Sequence, residues 1–154
     1  MRVLRILLSP ETATVLSDAC KRAGVREAGG MLFGEHVSHD TFQVVEATVH
    51  AMGLIASFTR VIKDGLARLD QFFRRTQYDY TRFNYLGEWH SHPSFAVHPS
   101  SVDSATMQSL VEDPSTGAFF LVLLIVKLED GQLHAGAWAY FPATPARACT
   151  VVCD

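Results

Sequence analysis

Residues 85–103 read Tyr-Leu-Gly-Glu-Trp-His-Ser-His-Pro-Ser-Phe-Ala-Val-His-Pro-Ser-Ser-Val-Asp. Tyr85 to His92 is predicted as a strand that runs into Pro93, and Pro99-Ser100-Ser101-Val102-Asp103 opens a helix. Positions two apart in a strand share a side, so His90 and His92 project together, with Cα atoms about 6–7 Å apart. Asp103 follows His92 by eleven residues and sits in the first turn of the helix. Two imidazoles and one carboxylate make a good zinc set with a fourth position left open, the mark of a catalytic site. The pair His90 and His92 alone would equally suit two ordinary surface or core histidines.

Outward from this stretch the pattern alternates between strands and helices. Upstream, Val3 to Leu8 reads as a strand, and Ser9-Pro10 as an N-cap with proline at the first helical position. Val15, Leu16, Ala19 and Ala23 recur at helical spacing until Gly24. Gly29 to Gly34 is a strand, His36 to Asp40 a hairpin loop, and Phe42 to Val45 its return. Gly53 to Arg60 is expected to be a loop. Ile62, Leu66, Leu69 and Phe73 then mark one face of a second helix, with Arg68, Arg74 and Arg75 on its solvated side. Downstream, Asp113-Pro114 ends the third helix, and Phe119 to Leu128 is apolar enough for a strand buried on both faces. Asp130-Gly131 signals a hairpin into Leu133 to Phe141, and Ala148 to Cys153 adds a last short strand. The whole predicts one α/β (α+β) domain over residues 1–154, with a mixed, mainly antiparallel sheet and about three helices.

Metal-assisted hydrolysis needs a group to take a proton from water and return it to the leaving amine. Glu27 is the candidate, because it precedes Gly29-Gly30, where another backbone can approach closely. Glu88 competes with it, since it shares the side of His90 and His92. It reads as a partner that orients a ligand, as a surface salt bridge, or as a direct participant.

Glu27-x-Gly-Gly-x-Leu-x-Gly34, His90-Ser-His92-Pro93 and Ser100-x-x-Asp103 together resemble the signature of the JAMM/MPN (JAB-domain) metalloprotease family. The Gly87-Glu-Trp-His-Ser-His-Pro93 string is most similar to its bacterial, deubiquitinase-like JAB branch. The resemblance implies the JAMM/MPN fold, with Zn2+ held by His90, His92 and Asp103. It implies Glu27 as general base and then acid, and Ser100 as the residue that stabilises the oxyanion. It further implies hydrolysis after the C-terminal glycine of a ubiquitin-like protein, in its conjugates or precursors, with operon-encoded activating and conjugating enzymes as partners. An anti-phage defence operon is one such setting. Processing of a sulfur-carrier protein and a non-catalytic binding scaffold are the alternatives. About fifteen residues separate Asp103 from the buried strand, little room for a substrate-gripping insertion. Residues Met52 to Lys63 could form a short one.

The remaining residues set limits. Of the 154 residues 48% are hydrophobic and 19% charged, which excludes a disordered or fibrous chain. A net charge of −3 argues against a nucleic-acid partner held through phosphates. The longest apolar run, Ala118 to Val126, is nine residues, about half of a membrane span. The N-terminus holds too short an apolar stub for a secretory signal. Three cysteines do not make a disulfide framework; Cys149 and Cys153 lie too far apart along one strand to bridge each other, and Cys20, Cys149 and Cys153 are all expected to pack in the core. A reducing cytoplasm is the expected compartment. Trp89 alternates away from the histidines and is expected in the core, and His98 is expected in a loop near the site.

Overall fold

The computed structural model describes residues 3–51, 55–94 and 96–153, without the side chains of 51–64. In chain order the elements are β1 (Arg5–Leu8), α1 (Pro10–Ala23), β2 (Ala28–Ser38), β3 (Thr41–Ala47), β4 (His50–Ala51), α2 (Ile55–Arg75), β5 (Phe83–Ser91), α3 (Ser101–Glu112), β6 (Leu121–Glu129), β7 (Gln132–Phe141) and β8 (Thr144–Cys153). The strands run in the order β3-β1-β8-β7-β6-β5-β2-β4. Parallel pairs join β1 to β3, β1 to β8 and β5 to β6; the other pairs are antiparallel.

The mixed, mainly antiparallel sheet and three helices match the expectation, but the sheet is no open layer. A further pairing of β2 with β3 closes it into a barrel. The means is the length of β2. Its first half pairs with β4, its second with β3, and β5 runs along its other side. Register shifts at Leu32/Phe33 and Phe33/Gly34 bend the strand where it changes partner.

Helix α1 starts as its sequence dictates. Ser9 Oγ accepts the Thr12 N–H at 3.2 Å, Pro10 opens the first turn, and Gly24 at φ 61° ends the last. It touches β2, β3, β6 and β7, strands from opposite sides of the ring, and so covers the concave face. Leu16 and Ala19 pack there with Ile6, Leu8, Leu32, Trp89, Val122, Leu124 and Val126. On the convex face α3 brings Met107 and Val111 against Leu121, Leu123, Ile125 and Tyr140, while α2 brings Phe72 against Met31 and Phe33. Strand β6 is thus covered on both sides, and Leu121 to Val126 are fully buried. Gly87, at φ 150°, lets β5 lie against β6, because a Cβ there would land on the Val122 carbonyl.

Several expectations need correction. Residues 55–60 are helical, not loop, and belong to α2; 52–54 of the suggested insertion lie outside the described residues. On α2 Gly65 and Phe72 are buried, Leu69 and Phe73 pack partly buried beside them, and Leu66 is exposed. Gly65 is the reason, since its missing side chain admits Met31 against the helix. The first hairpin is tighter than expected. Strand β2 continues to Ser38 and only His39-Asp40 turns, with Asp40 at φ 54°. Cys153 is exposed at the end of β8, whereas Cys20 and Cys149 are partly buried as expected.

Candidate active site

The site forms where β5 ends. His90 lies within β5, and His92 follows directly, still held to β6 by its N–H to the Val126 carbonyl at 2.9 Å. Pro93 has no N–H to continue this pairing. Ser91, on the other face, accepts the Ala28 N–H at 2.8 Å and ties the start of β2 to the end of β5.

Helix α3 presents its N-terminus to the two rings. Ser100 Oγ accepts the Asp103 N–H at 3.0 Å, and Asp103 Oδ2 accepts the Ser100 N–H at 2.9 Å, a reciprocal capping box. Satisfying the helix end therefore also aims the Asp103 carboxylate. Its Oδ1 lies 3.4 Å from His90 Nδ1 and its Oδ2 3.4 Å from His92 Nε2. The three side chains are only 8–15% exposed. Burial works to raise the Asp103 carboxyl, but the His90 ring and the Ser100 cap outweigh it and hold the carboxyl well below the usual carboxylate range. His92 Nδ1 sits 3.1 Å from the Ala96 carbonyl, which can only accept. The ring proton therefore belongs on Nδ1, leaving the Nε2 lone pair toward Asp103.

A separation of 3.4 Å is long for a hydrogen bond. It is close to the roughly 3.3 Å between two donor atoms that share one tetrahedral zinc. The two rings meet different carboxylate oxygens rather than one point, and among the described residues no group of three or more His, Cys, Asp and Glu side chains is arranged to hold a metal ion. By chemistry, two imidazoles and one carboxylate are donors of the kind zinc takes.

Glu27 stands one residue before β2 and is exposed. The antiparallel register pairs Gly29 with His90. Continued by two residues, it carries Glu27 opposite His92, on the face to which both rings point. His90, His92, Asp103 and Ser100 are thus brought together, and Glu27 stands exposed one residue before the neighbouring strand.

Glu88 is 5% exposed and accepts a 2.7 Å hydrogen bond from the Tyr85 hydroxyl. Burial pushes its carboxyl up to about 7; Tyr85 and His90 pull the other way without cancelling it. It is no surface salt bridge. Tyr85 was missed by the sequence reading, and the reason is geometric. Residues three apart in a regular strand face opposite sides. The register shift that pairs Gly87 with Leu32 and Tyr85 with Phe33 inserts one residue, and so turns Tyr85 to the side of Glu88. Glycine at 87 was the available signal. Trp89 is fully buried, as expected, with its Nε1–H donated to the Thr48 carbonyl at 2.7 Å. His98 packs on Trp138, ring centroids 5.4 Å apart.

Residues 9–139 match the family model described as prokaryotic homologs of the JAB domain. A curated relative from Enterobacter hormaechei subsp. hoffmannii (strain UCI 50), named CD-NTase/cGAS isopeptidase, is 29% identical over 125 residues. The match covers 79% of this chain but 66% of that relative, just under two thirds of its length. Among solved structures, a Desulfitobacterium hafniense protein superposes with a TM-score of 0.61 at 17% identity, over 97% of this chain and 92% of that one. A JAB1/MPN domain protein from Archaeoglobus fulgidus gives a TM-score of 0.48 at 16% identity, over 99% of this chain and 100% of that one. No helix among the described residues is long and apolar enough to cross a membrane.

Proposed function

Because the chain belongs to the prokaryotic homologs of the JAB domain, we propose that it is a zinc-dependent isopeptidase acting after the C-terminal glycine of a ubiquitin-like protein. The observation that carries this reading is the Asp103 carboxylate set 3.4 Å from a nitrogen of each of two imidazoles by its own helix cap. His90, His92 and Asp103 would hold the metal, and when bound it supplies Lewis-acid polarisation of a carbonyl and acidification of water. Glu27 would take a proton from the attacking water and hand it to the leaving amine. Ser100 accepts one hydrogen bond from its helix and keeps its own hydroxyl proton, which it can donate to the oxyanion that develops on the substrate carbonyl.

The relative's name supports the substrate class: a protein–protein conjugate, here one made by a bacterial ubiquitin-like conjugation system such as those of anti-phage defence. Activating and conjugating enzymes are its expected neighbours, and the cytoplasm its expected place. Crowding explains the glycine. The metal, Glu27 and Ser100 would all surround one carbonyl, so a side chain on the residue that supplies it would clash. The test is cleavage of ubiquitin-like domains fused through a Gly-Gly tail to a reporter, with products located by mass spectrometry. The cut is expected directly after the last glycine, and Gly→Val there or one residue earlier should slow it at least about tenfold, the low end of what a single misfitting methylene costs. Cleavage that ignores the change would mean a general peptidase. A sulfur-carrier protein cleaved in preference to every conjugate would move the enzyme to that pathway. No cleavage by zinc-loaded protein would mean a scaffold.

A further inference from the structure

Asp103 and the two histidines stand on different supports. His90 and His92 belong to β5 and its end, whereas α3 lies against β7 and β6. The capping box stops the Asp103 side chain from swinging, but it travels with the helix. It therefore fixes neither the rise nor the rotation of α3 over the sheet. The apolar contacts of Met107 and Val111 do not fix them either, because such packing is non-directional. A slide of one residue, about 1.5 Å, is enough to spoil two separations of 3.4 Å held at once.

A second stripe of α3 supplies the direction. Ser104, Gln108 and Glu112 recur every fourth residue and share one side of the helix. All three are hydrogen-bonded to β7 or to the turn that follows it. The Ser104 and Tyr140 hydroxyls pair at 3.1 Å. Gln108 Nε2 donates to the Phe141 carbonyl at 2.9 Å and to Glu112 Oε2 at 2.8 Å. The same Glu112 oxygen accepts the Ala143 N–H at 3.0 Å, in a turn where Ala143 stands at φ 54°. Tyr140 is buried in the core, so its hydroxyl is a fixed point. Burial raises that hydroxyl, the Ser104 bond opposes the rise, and the Asp103 charge adds to it, as expected of a neighbour. The same convex face of β7 also seats the loop between His92 and Ser100. A Cβ at Gly136 would meet the Val97 carbonyl at 2.7 Å, and His98 packs on Trp138.

We propose that β7 is the frame of the metal site, and that Ser104, Gln108 and Tyr140 are its positioning residues. They hold α3 at the rise and rotation that bring Asp103 to both rings. The frame reaches the histidines through the pairing of β7 with β6 and of β6 with β5. The proposal rests on the reading of His90, His92 and Asp103 as zinc ligands, though not for the hydrogen bonds that place Asp103. Loss of one such bond leaves every ligand present but out of register, so metal affinity falls even where the fold persists.

The test measures zinc affinity of the full chain by competition with a chromophoric chelator, and stability by urea titration of metal-free protein. Leu16→Val, in the core under α1, is the control for lost stability alone. Tyr140→Phe, Ser104→Ala and Gln108→Met should each weaken zinc about tenfold, the low end for loss of a residue that orients a ligand. Ser104→Thr keeps the hydroxyl and should stay within about twofold of wild type. Tyr140→Phe combined with Ser104→Ala should lose no more than either alone, since both remove the same bond. Leu16→Val should lower the urea midpoint and leave zinc affinity unchanged. Zinc affinity within about twofold of wild type in Tyr140→Phe, Ser104→Ala and Gln108→Met overturns the proposal, as does an equal loss in Leu16→Val. The ring signals of His90 and His92 in NMR spectra of metal-free protein give an independent measure. They should shift in Tyr140→Phe and stay in place in Leu16→Val. If wild type takes up no zinc, the ligand reading fails, and the ring signals alone decide whether β7 places Asp103; unmoved signals overturn it.

Discussion

The two halves of the candidate site are built by different physics. His90, His92 and Asp103 are placed by elements with few alternatives: a strand paired on both sides and a helix whose first turn is reciprocally capped. The Asp103 carboxylate cannot leave the rings without also releasing the Ser100 N–H. Glu27 instead stands exposed at the end of a turn, next to Ala28, whose N–H is held by Ser91. A metal-binding set benefits from the first arrangement, since preorganised donors lose little entropy on binding. A proton carrier benefits from the second, because it must meet both water and a departing amine.

The sharpest way to break this contrast is to remove a ligand. Purified without chelator, the protein should hold about one zinc per chain, and His90→Ala or Asp103→Ala should bring the content close to zero. Elemental analysis decides. Absence of zinc in the wild type, with no uptake on addition, would leave the rigid half as no more than a well-capped helix beside two histidines.

Removal of the exposed half should do the opposite. Glu27→Ala should keep its zinc and lose at least about 10²-fold in turnover, the low end for general acid–base catalysis. Glu88→Ala should lose less, because its carboxylate is occupied by Tyr85 behind the rings. An active Glu27→Ala protein beside a zinc-loaded but dead Glu88→Ala protein would reverse the two roles.

The same contrast explains what could be read from sequence. His90, His92 and Asp103 were legible because strand period and helix-start chemistry are local rules, and the side chains obey them. The hairpin at Asp130-Gly131 was legible for the same reason, with both residues at positive φ. Barrel closure was not, because it depends on β2 changing partner part-way along, a long-range pairing with no period of its own. Leu66 was misplaced because apolar spacing cannot say which of two adjacent stripes meets a glycine-fitted neighbour. Tyr85 was hidden by a bulge.

A smaller effect concerns the buried carboxylate next to the rigid half. The folded-state pKa of Glu88, about 7, lies above its ordinary value of 4.5. The native state therefore holds this proton more firmly than the unfolded chain does. Its contribution to stability is fully present below about pH 4.5 and is lost as the pH rises through about 7. In protein stripped of metal, Glu88→Gln should remove this decline, by up to about 3 kcal/mol at pH 8, at about 1.4 kcal/mol per unit. Urea titrations of both proteins across pH 4 to 8 measure it. Parallel curves would show that the Tyr85 hydrogen bond and the nearby His90 hold Glu88 ionised throughout.

The smallest expected effect tests Ser100, which belongs to both halves at once. Its hydroxyl oxygen caps α3, and its hydroxyl proton is not used by that cap. Loss of the cap in Ser100→Ala should reduce stability by about 1 kcal/mol and weaken zinc retention, since the partner of the Asp103 backbone is gone. Turnover should fall as well, but for either of two reasons. Ser100→Asp separates them: its carboxylate restores an N-cap, yet at neutral pH offers no proton to an oxyanion. Recovery of stability and zinc content without recovery of turnover would assign the hydroxyl a part in the chemistry. Recovery of all three would reduce Ser100 to the residue that aims Asp103, and the oxyanion would then need another donor.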